Sequence, residues 1–215
     1  MIPVGTEQHY KHLIHAIKYY ESAGYKWVDV PWVVSEEAVG ITRPAWAVGN
    51  ALSYVAGGKE LFPVASAEQS FLQMQMDALD GSLDNRISGR FVTMTPCFRN
   101  EPVIDDLHQP YFMKVELISW DKTSREDMDK MIADARLLFE KDLWVDCVLN
   151  LDPDPIGIVA YDLVTSHTGI ELGSYGIREH PRVGRWLYGT GLAEPRYSYA
   201  LEKEEPFNQK VEAFF

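Results

Sequence analysis

Apolar positions recur along this chain with two different periods. From His9 to Ala23 the residues Tyr10, Leu13, Ile14 and Ile17 fall three and four apart, one face of an amphipathic helix, and Gly24 supplies its C-terminal stop. The same period returns in Ala67–Leu79 and in a segment that opens at Ser124. There Met128, Met131, Ile132, Ala135, Leu138 and Phe139 form one stripe, read as core filling, and Asp127 makes a near capping box with Ser124. A last helix is expected from near Pro195, a residue tolerated in a first turn. Between these segments, runs rich in β-branched and aromatic residues predict strands at about 25–30, 61–65, 90–98, 111–120, 158–165, 168–175 and 187–192.

The strands do not alternate regularly with helices. The expected fold is therefore α+β, an antiparallel sheet flanked by helices, and not a Rossmann or P-loop domain. No G-x-x-x-x-G-K-[ST] run occurs either, so any nucleotide site must be of another kind. With 215 residues and 46% hydrophobic content the chain can build one substantial core. No apolar run approaches a membrane span and no basic-then-apolar leader opens the chain, so a cytoplasmic protein without a membrane partner is expected.

Charge changes the picture in one respect. Twenty basic residues against 32 acidic ones leave a formal −12, which disfavours a large nucleic-acid footprint. The one notable basic grouping, Arg178, Arg182, Arg185 and Arg196, is read mainly as phosphate chemistry. Cys97 and Cys147 lack metal-ligand spacing, and Cys97 reads as a small buried residue.

The chemistry concentrates in Thr95-Pro96-Cys97-Phe98-Arg99-Asn100-Glu101 and in His108-Gln109-Pro110-Tyr111-Phe112-Met113-Lys114-Val115-Glu116. Two strand-like runs, Arg90–Phe98 and Tyr111–Trp120, flank a polar loop and predict a long hairpin. Arg99 and Glu101, two apart, are expected on one face, as are Phe112 and Glu116 on the return strand. A guanidinium, a carboxylate and an aromatic ring converging there suit a nucleotide.

This hairpin resembles motif 2 of the class II aminoacyl-tRNA synthetases, with its F-R-x-E core, and is most similar to the seryl version. Ile170-Glu171-Leu172-Gly173-Ser174-Tyr175-Gly176-Ile177-Arg178-Glu179-His180 resembles the strand before motif 3 in aspartyl- and asparaginyl-type enzymes. Tyr188-Gly189-Thr190-Gly191-Leu192-Ala193-Glu194-Pro195-Arg196 resembles motif 3, and Ser66-Ala67-Glu68 the T-x-E loop that holds the amino acid in the seryl enzyme. His9–Pro31 resembles motif 1, the dimer element, with Trp27 and Trp32 suited to the contact.

The resemblance implies a class II synthetase-like sheet that activates an amino acid with ATP and Mg2+, as a homodimer. It assigns Arg99 to the α-phosphate and the attacking carboxylate, and Arg196 to the γ-phosphate. Phe112 would stack on adenine, Glu101 would take the adenine amino group, and His108 would lie near the γ-phosphate. Glu171 would hold Mg2+ with Ser174 beside it. Ser66, Glu68 and Glu116 would bind the amino acid, the two carboxylates receiving its ammonium. Ser66 stands where the seryl enzyme has Thr, Gly173 follows the aspartyl pattern, and Tyr175 is expected to intrude into the pocket, so the substrate amino acid stays open. Asp162 and His167 are further candidates to line that pocket, each with a structural role as its plainer reading.

The likeness spans roughly residues 7 to 203 and leaves no tRNA-binding arm or anticodon-binding domain in residues 1–215, a single catalytic domain. Synthetase paralogues of that form pass the activated amino acid to a carrier protein or a small molecule, or become regulatory. A minimal enzyme acting on tRNA is the other reading.

Overall fold

Thr6 opens the first helix by accepting a hydrogen bond from the His9 backbone N–H at 3.3 Å. The chain leaves that helix through Gly24 at φ +89°, a conformation that favours glycine. The computed structural model describes residues 5–43, 52–82, 87–154 and 156–212, the side chains of 206–212 excepted. The helices there are α1 (Glu7–Ser22), α2 (Glu36–Thr42), α3 (Ala67–Leu79), α4 (Arg125–Leu137, continued by a π-turn over Leu138–Asp142) and α5 (Arg196–Glu212). Ser35, Ser66 and Ser124 cap α2, α3 and α4 with their side chains, and Ser124 with Asp127 completes a full capping box.

The strands are β1 (Lys26–Trp27), β2 (Val33–Val34), β3 (Tyr54–Ala56), β4 (Lys59–Pro63), β5 (Arg90–Phe98), β6 (Tyr111–Ser119), β7 (Cys147–Asp152), β8 (Gly157–Thr165), β9 (Glu171–His180) and β10 (Gly184–Glu194). Seven of them form one sheet in the order β1-β5-β6-β10-β9-β8-β7, and β2-β4-β3 form a small second sheet. Within the large sheet only the β1–β5 pairing is parallel. The expected α+β architecture, an antiparallel sheet flanked by helices, is the observed one.

Several boundaries move for physical reasons. The strand expected over 25–30 shrinks to β1, because the Asp29 side chain takes the Val30 N–H at 3.1 Å in place of a ladder partner. The strands expected at 168–175 and 187–192 lengthen toward each other until Gly184 pairs with His180. Helix α2 and strands β2, β3 and β7 had no clear period. Strand β7 is an edge strand whose Leu149 and Leu151 are exposed, so no alternation marks it.

The sheet separates two cores. Val92, Val115, Leu117, Leu163, Tyr175 and Leu187 bury against α1, α4 and α5. Ile118 and Trp186, on the other face, pack with Phe71, Leu72 and Met76 of α3 and with Val34, Val39 and Phe62. The helices reach β10 closely because it lacks side chains at the contact. A Cβ on Gly191 would lie 2.8 Å from Val115 Cγ1 and 2.9 Å from Tyr20 Cε2. Tyr20 is fully buried and its hydroxyl donates to the Gly191 carbonyl at 3.1 Å, so the ring has nowhere to retreat. Gly191→Ala is therefore expected to cost about 1–3 kcal/mol of stability, as overpacking does. Urea unfolding should show a lower midpoint at unchanged slope.

Candidate active site

Alternation along the strands puts Cys97, Phe112, Lys114, Glu116, Tyr188, Thr190, Ser174 and Arg178 on the sheet face that α3 covers. Between that face, the first turn of α3 and the small sheet lies a cavity of about 350 Å3. Six of the ten expected site residues line it: Ser66, Glu68, Arg99, Glu101, Glu116 and Ser174. Arg43, Lys114, Arg178 and Tyr188 line it as well.

Glu116 is the most heavily bonded of these. Ser66 Oγ and the Ala67 N–H both donate to its carboxylate, Lys114 Nζ pairs with it at 2.9 Å, and Cys97 Sγ lies 3.9 Å away. The acid thus sits against the orphan N–H groups and positive dipole end of α3. A carboxylate offers about four acceptor sites, so an incoming ammonium must displace a donor from Glu116. Cys97 is buried as expected, and burial with the neighbouring Glu116 charge pushes its thiol up to about 12.

Glu68 is also buried, but keeps unused lone pairs. It accepts from Arg178 Nη1 at 2.5 Å and from Trp186 Nε1 at 2.6 Å. Burial pushes its pKa up while the Arg178 guanidinium pulls it back. Arg178 also pairs with Asp154 at 2.9 Å and lies 4.1 Å over the Tyr188 ring. Against its own burial, Asp154 is held below the usual carboxylate range by Arg178 and by hydrogen bonds from Ile156 N–H and the Tyr188 hydroxyl.

The reading of Arg178, Arg182, Arg185 and Arg196 as one phosphate cluster is corrected here. Each has a separate carboxylate partner: Glu68 and Asp154, Glu37 and Asp80, Glu179, and Glu171 in turn. Tyr175 does not intrude either. It faces the opposite side of the sheet, fully buried, with its hydroxyl on the Thr190 carbonyl.

Arg99 and Glu101 do not share a regular strand. Strand β5 ends at Phe98, and one further ladder bond, Arg99 N–H to the Pro110 carbonyl at 2.9 Å, precedes Pro102, which has no N–H to give. Both side chains still line the cavity. No carboxylate among the described residues pairs with Arg99; its guanidinium lies 5.0 Å from the Phe112 ring centre, and Nε donates to the Ala65 carbonyl at 3.5 Å.

Phe112 and Arg196 line a separate crevice of about 10 Å3 with Leu107 and Gln109. Arg196 pairs with Glu171 at 3.0 Å and donates to the Leu107 carbonyl at 3.2 Å, so the hairpin loop closes the crevice. Asp105 holds that loop by accepting from the Leu107 and His108 N–H groups and from the His108 ring. His108 is thereby turned outward, exposed, and lines neither space.

Glu171 and Ser174 are three apart, so strict alternation would set them on opposite faces. The β8–β9 register slips between Leu163/Gly173 and Val164/Glu171, and this bulge returns Glu171 to the face of Ser174. Asp162 pairs across from Ser174 on that face. It is half-buried, and burial, with Glu171 and Asp152 nearby, pushes its carboxyl up to about 6. Its structural reading is thus too narrow: it belongs to the charged surroundings of Glu171. Among the described residues no group of three or more His, Cys, Asp or Glu could hold a metal. Glu171 and Ser174 carry oxygen donors of the kind a hard cation takes, and Glu171 is paired with Arg196 at 3.0 Å. His167 is structural as expected, its Nδ1 lying 2.9 Å from the buried Glu204.

Sequence reasoning missed Arg43, Lys114 and Asp154. The even spacing of Ser174 and Arg178 could have placed Arg178 at the site, whereas nothing local marks Arg43.

No family model and no curated protein matches the sequence. Solved structures do match the fold. The cytoplasmic serine-tRNA ligase of Naegleria fowleri, in complex with AMP, superposes with a TM-score of 0.69 at 16% identity, covering 86% of this chain and 46% of that one. Seryl-tRNA synthetase of Pyrococcus horikoshii, complexed with ATP, gives 0.67 at 20% identity, covering 88% and 48%. PylSc of Desulfitobacterium hafniense, a pyrrolysyl-tRNA synthetase, gives 0.67 at 16% identity, covering 92% and 72%. The chain therefore has the class II aminoacyl-tRNA synthetase fold, and it spans about half the length of the two seryl enzymes.

The raised Asp162 carboxyl yields a signed pH effect. Its folded value of about 6 exceeds the unfolded value, so the folded chain binds the extra proton below that point and ionisation weakens the fold as pH rises from about 4 to 6. Asp162→Asn should raise the melting temperature over wild type at pH 7 and leave it nearly unchanged at pH 4, in buffer free of divalent cations. An equal gain at both values would contradict the assignment.

Proposed function

We propose that this chain binds ATP and an amino acid and joins them as an aminoacyl-adenylate, releasing pyrophosphate. The acyl group then passes to an acceptor: a carrier protein, a small molecule or tRNA. The observation that carries this reading is the gathering of Ser66, Glu68, Arg99, Glu101, Glu116 and Ser174 around one cavity in a class II synthetase fold. Residues brought together from α3, β6, β9 and the hairpin loop have no sequence neighbourhood in common, so their convergence is a property of the fold.

The reaction needs positioning and charge neutralisation more than covalent help from the protein. A substrate carboxylate oxygen attacks the α-phosphorus, and the bond from that phosphorus to the bridging oxygen breaks, the electron pair leaving with pyrophosphate. Arg99, with no carboxylate partner among the described residues, spans the α-phosphate and the attacking carboxylate with its planar fork. Phe112 offers its ring to adenine once Arg99 swings off it, and Glu101 takes the adenine amino group. Arg196 exchanges Glu171 and the Leu107 carbonyl for the γ-phosphate, with His108 brought toward it by the same loop movement. Glu68 receives the ammonium, since Glu116 is committed to the first turn of α3 and to Lys114. Glu171 with Ser174 would hold Mg2+, which would supply neutralisation of phosphate charge.

The same reading includes a homodimer through α1, β1 and the segment that leads to β2, where Trp27 and Trp32 are 53% and 52% exposed. A cytoplasmic location, that of the Naegleria relative by its name, belongs to it too. No helix among the described residues is long and apolar enough to cross a membrane.

Two measurements test it. Amino-acid-dependent ATP–pyrophosphate exchange, screened over all proteinogenic amino acids, should give a signal with at least one of them, and Arg99→Lys should lower it by about 10²–10³-fold. ATP affinity should fall less, because lysine keeps the charge and loses only the fork. Absence of exchange with every amino acid overturns the activity, and an Arg99→Lys variant as active as wild type overturns the role of Arg99. Light scattering at micromolar concentration should report about twice the 24.5 kDa of one chain; a monomer would remove the dimer.

A further inference from the structure

Among the charged groups lining the cavity, Arg43 has neither a part in the proposed reaction nor an ion pair among the described residues. It follows α2 directly, its backbone N–H closing that helix on the Val39 carbonyl at 3.0 Å. Its guanidinium lies 6.0 Å from the centre of the Phe62 ring, and Nη2 is buried with no hydrogen-bond partner among the described residues. Burying a cationic donor without a partner is costly, so such a group is a place where a ligand atom is wanted.

The other charges around the cavity show what that ligand must bring. Lys114 is matched by Glu116, and Arg178 by Glu68 and Asp154. Arg43 and Arg99 have no ion pair among the described residues. Arg99 takes both the carboxylate common to all amino acids and the α-phosphate, Glu101 takes the adenine, and the remaining nucleotide contacts, Phe112 and Arg196, lie in the separate crevice. The counter-charge for Arg43 must therefore arrive on the variable part of the substrate. An amide oxygen would fill the hydrogen bond and leave the charge uncompensated; a carboxylate does both, in the two-pronged geometry that guanidinium prefers. Val39, Leu52 and Phe62 add apolar wall for the methylenes leading to it.

We infer that the amino acid taken into this cavity bears a carboxylate side chain, and that Arg43 selects it; this rests on the activation reading above. The test is calorimetry with aspartyl- and glutamyl-sulfamoyl-adenosine, stable mimics of the acyl-adenylate, against their asparaginyl and glutaminyl counterparts, with ATP titrated separately. At least one acidic mimic should bind about 10- to 100-fold more tightly than its amide, and Arg43→Gln should abolish the difference while ATP affinity and melting temperature hold. Arg43→Lys should keep part of the preference. Equal or tighter binding of the amides, or a preference that survives Arg43→Gln, overturns the inference. So does a loss of ATP affinity in Arg43→Gln, which would assign Arg43 to phosphate. If ATP and neutral mimics bind but acidic ones do not, only this inference fails. If neither ATP nor any mimic binds the wild type, the activation reading fails and takes this one with it.

Discussion

The Glu116 carboxylate is the joint on which the rest of the site hangs. It stands on a central strand of the large sheet and takes two donors from the start of α3, Ser66 Oγ and the Ala67 N–H. A helix laid across a sheet could slide or rotate over a merely apolar contact, since burial is non-directional. A buried anion bonded to specific N–H groups fixes the helix at one point. Two residues further along, Glu68 repeats the device in the other direction, reaching from the helix to Arg178 of β9 and Trp186 of β10. Removing one partner of such a buried pair commonly costs about 3–5 kcal/mol, because the other charge is stranded. The two acids therefore define the cavity floor by the same bonds that hold it in place.

The sheet contributes by breaking its own rule. Perfect alternation would send Glu171 to the helix-packed face, into a core made by Tyr175, Leu172 and Ile177. The bulge between Leu163 and Val164 returns it to the cavity-bearing face beside Ser174 and Asp162. A second slip, between Thr190 and Leu192, falls at Gly191, where Tyr20 and Val115 crowd the backbone. In both places an extra residue re-aims the chain at the edge of the site. Regular strands supply the rigidity, and the irregularities choose which side chains share a face.

Much of this could be read from the chain. The helix periods of α1, α3 and α4, the long hairpin and the α+β arrangement follow from spacing alone, because each of those elements has one face in a core and one outside it. Arg99, Glu101, Ser66, Glu68, Glu116 and Ser174 were recognisable through motif resemblance, and the fold brings them to one cavity. What stayed illegible had no local signature. Strand β7 lies at the sheet edge with apolar residues facing outward, so its pattern is neither alternating nor buried. The contact that turns His108 outward, with its loop neighbour Asp105, has no signature in the spacing either. The arginine grouping looked like a cluster because three of its members are near in sequence, yet the turn after β9 directs them to different acids. Partner choice among charges is a tertiary property, and spacing cannot reveal it.

That point also resolves an apparent conflict between a −12 chain and the anion site proposed for it. Net charge acts through solvent, where mobile ions screen it beyond about 8–10 Å at ordinary ionic strength. It opposes a polyanion that must lie along a broad surface, since each phosphate meets the acidic exterior. A ligand inside a cleft experiences the nearest groups through low-dielectric walls instead, and there a few fixed cations outweigh distant acids. Of the four basic residues around the cavity, Lys114 and Arg178 are already neutralised by acidic partners, so the local balance is set by the two arginines that are not. An acidic protein can thus hold small anions provided it keeps a few guanidinium groups unpaired and enclosed, and the burial of Glu116, Glu68 and Asp154 beside their own cations is what leaves Arg43 and Arg99 in that condition.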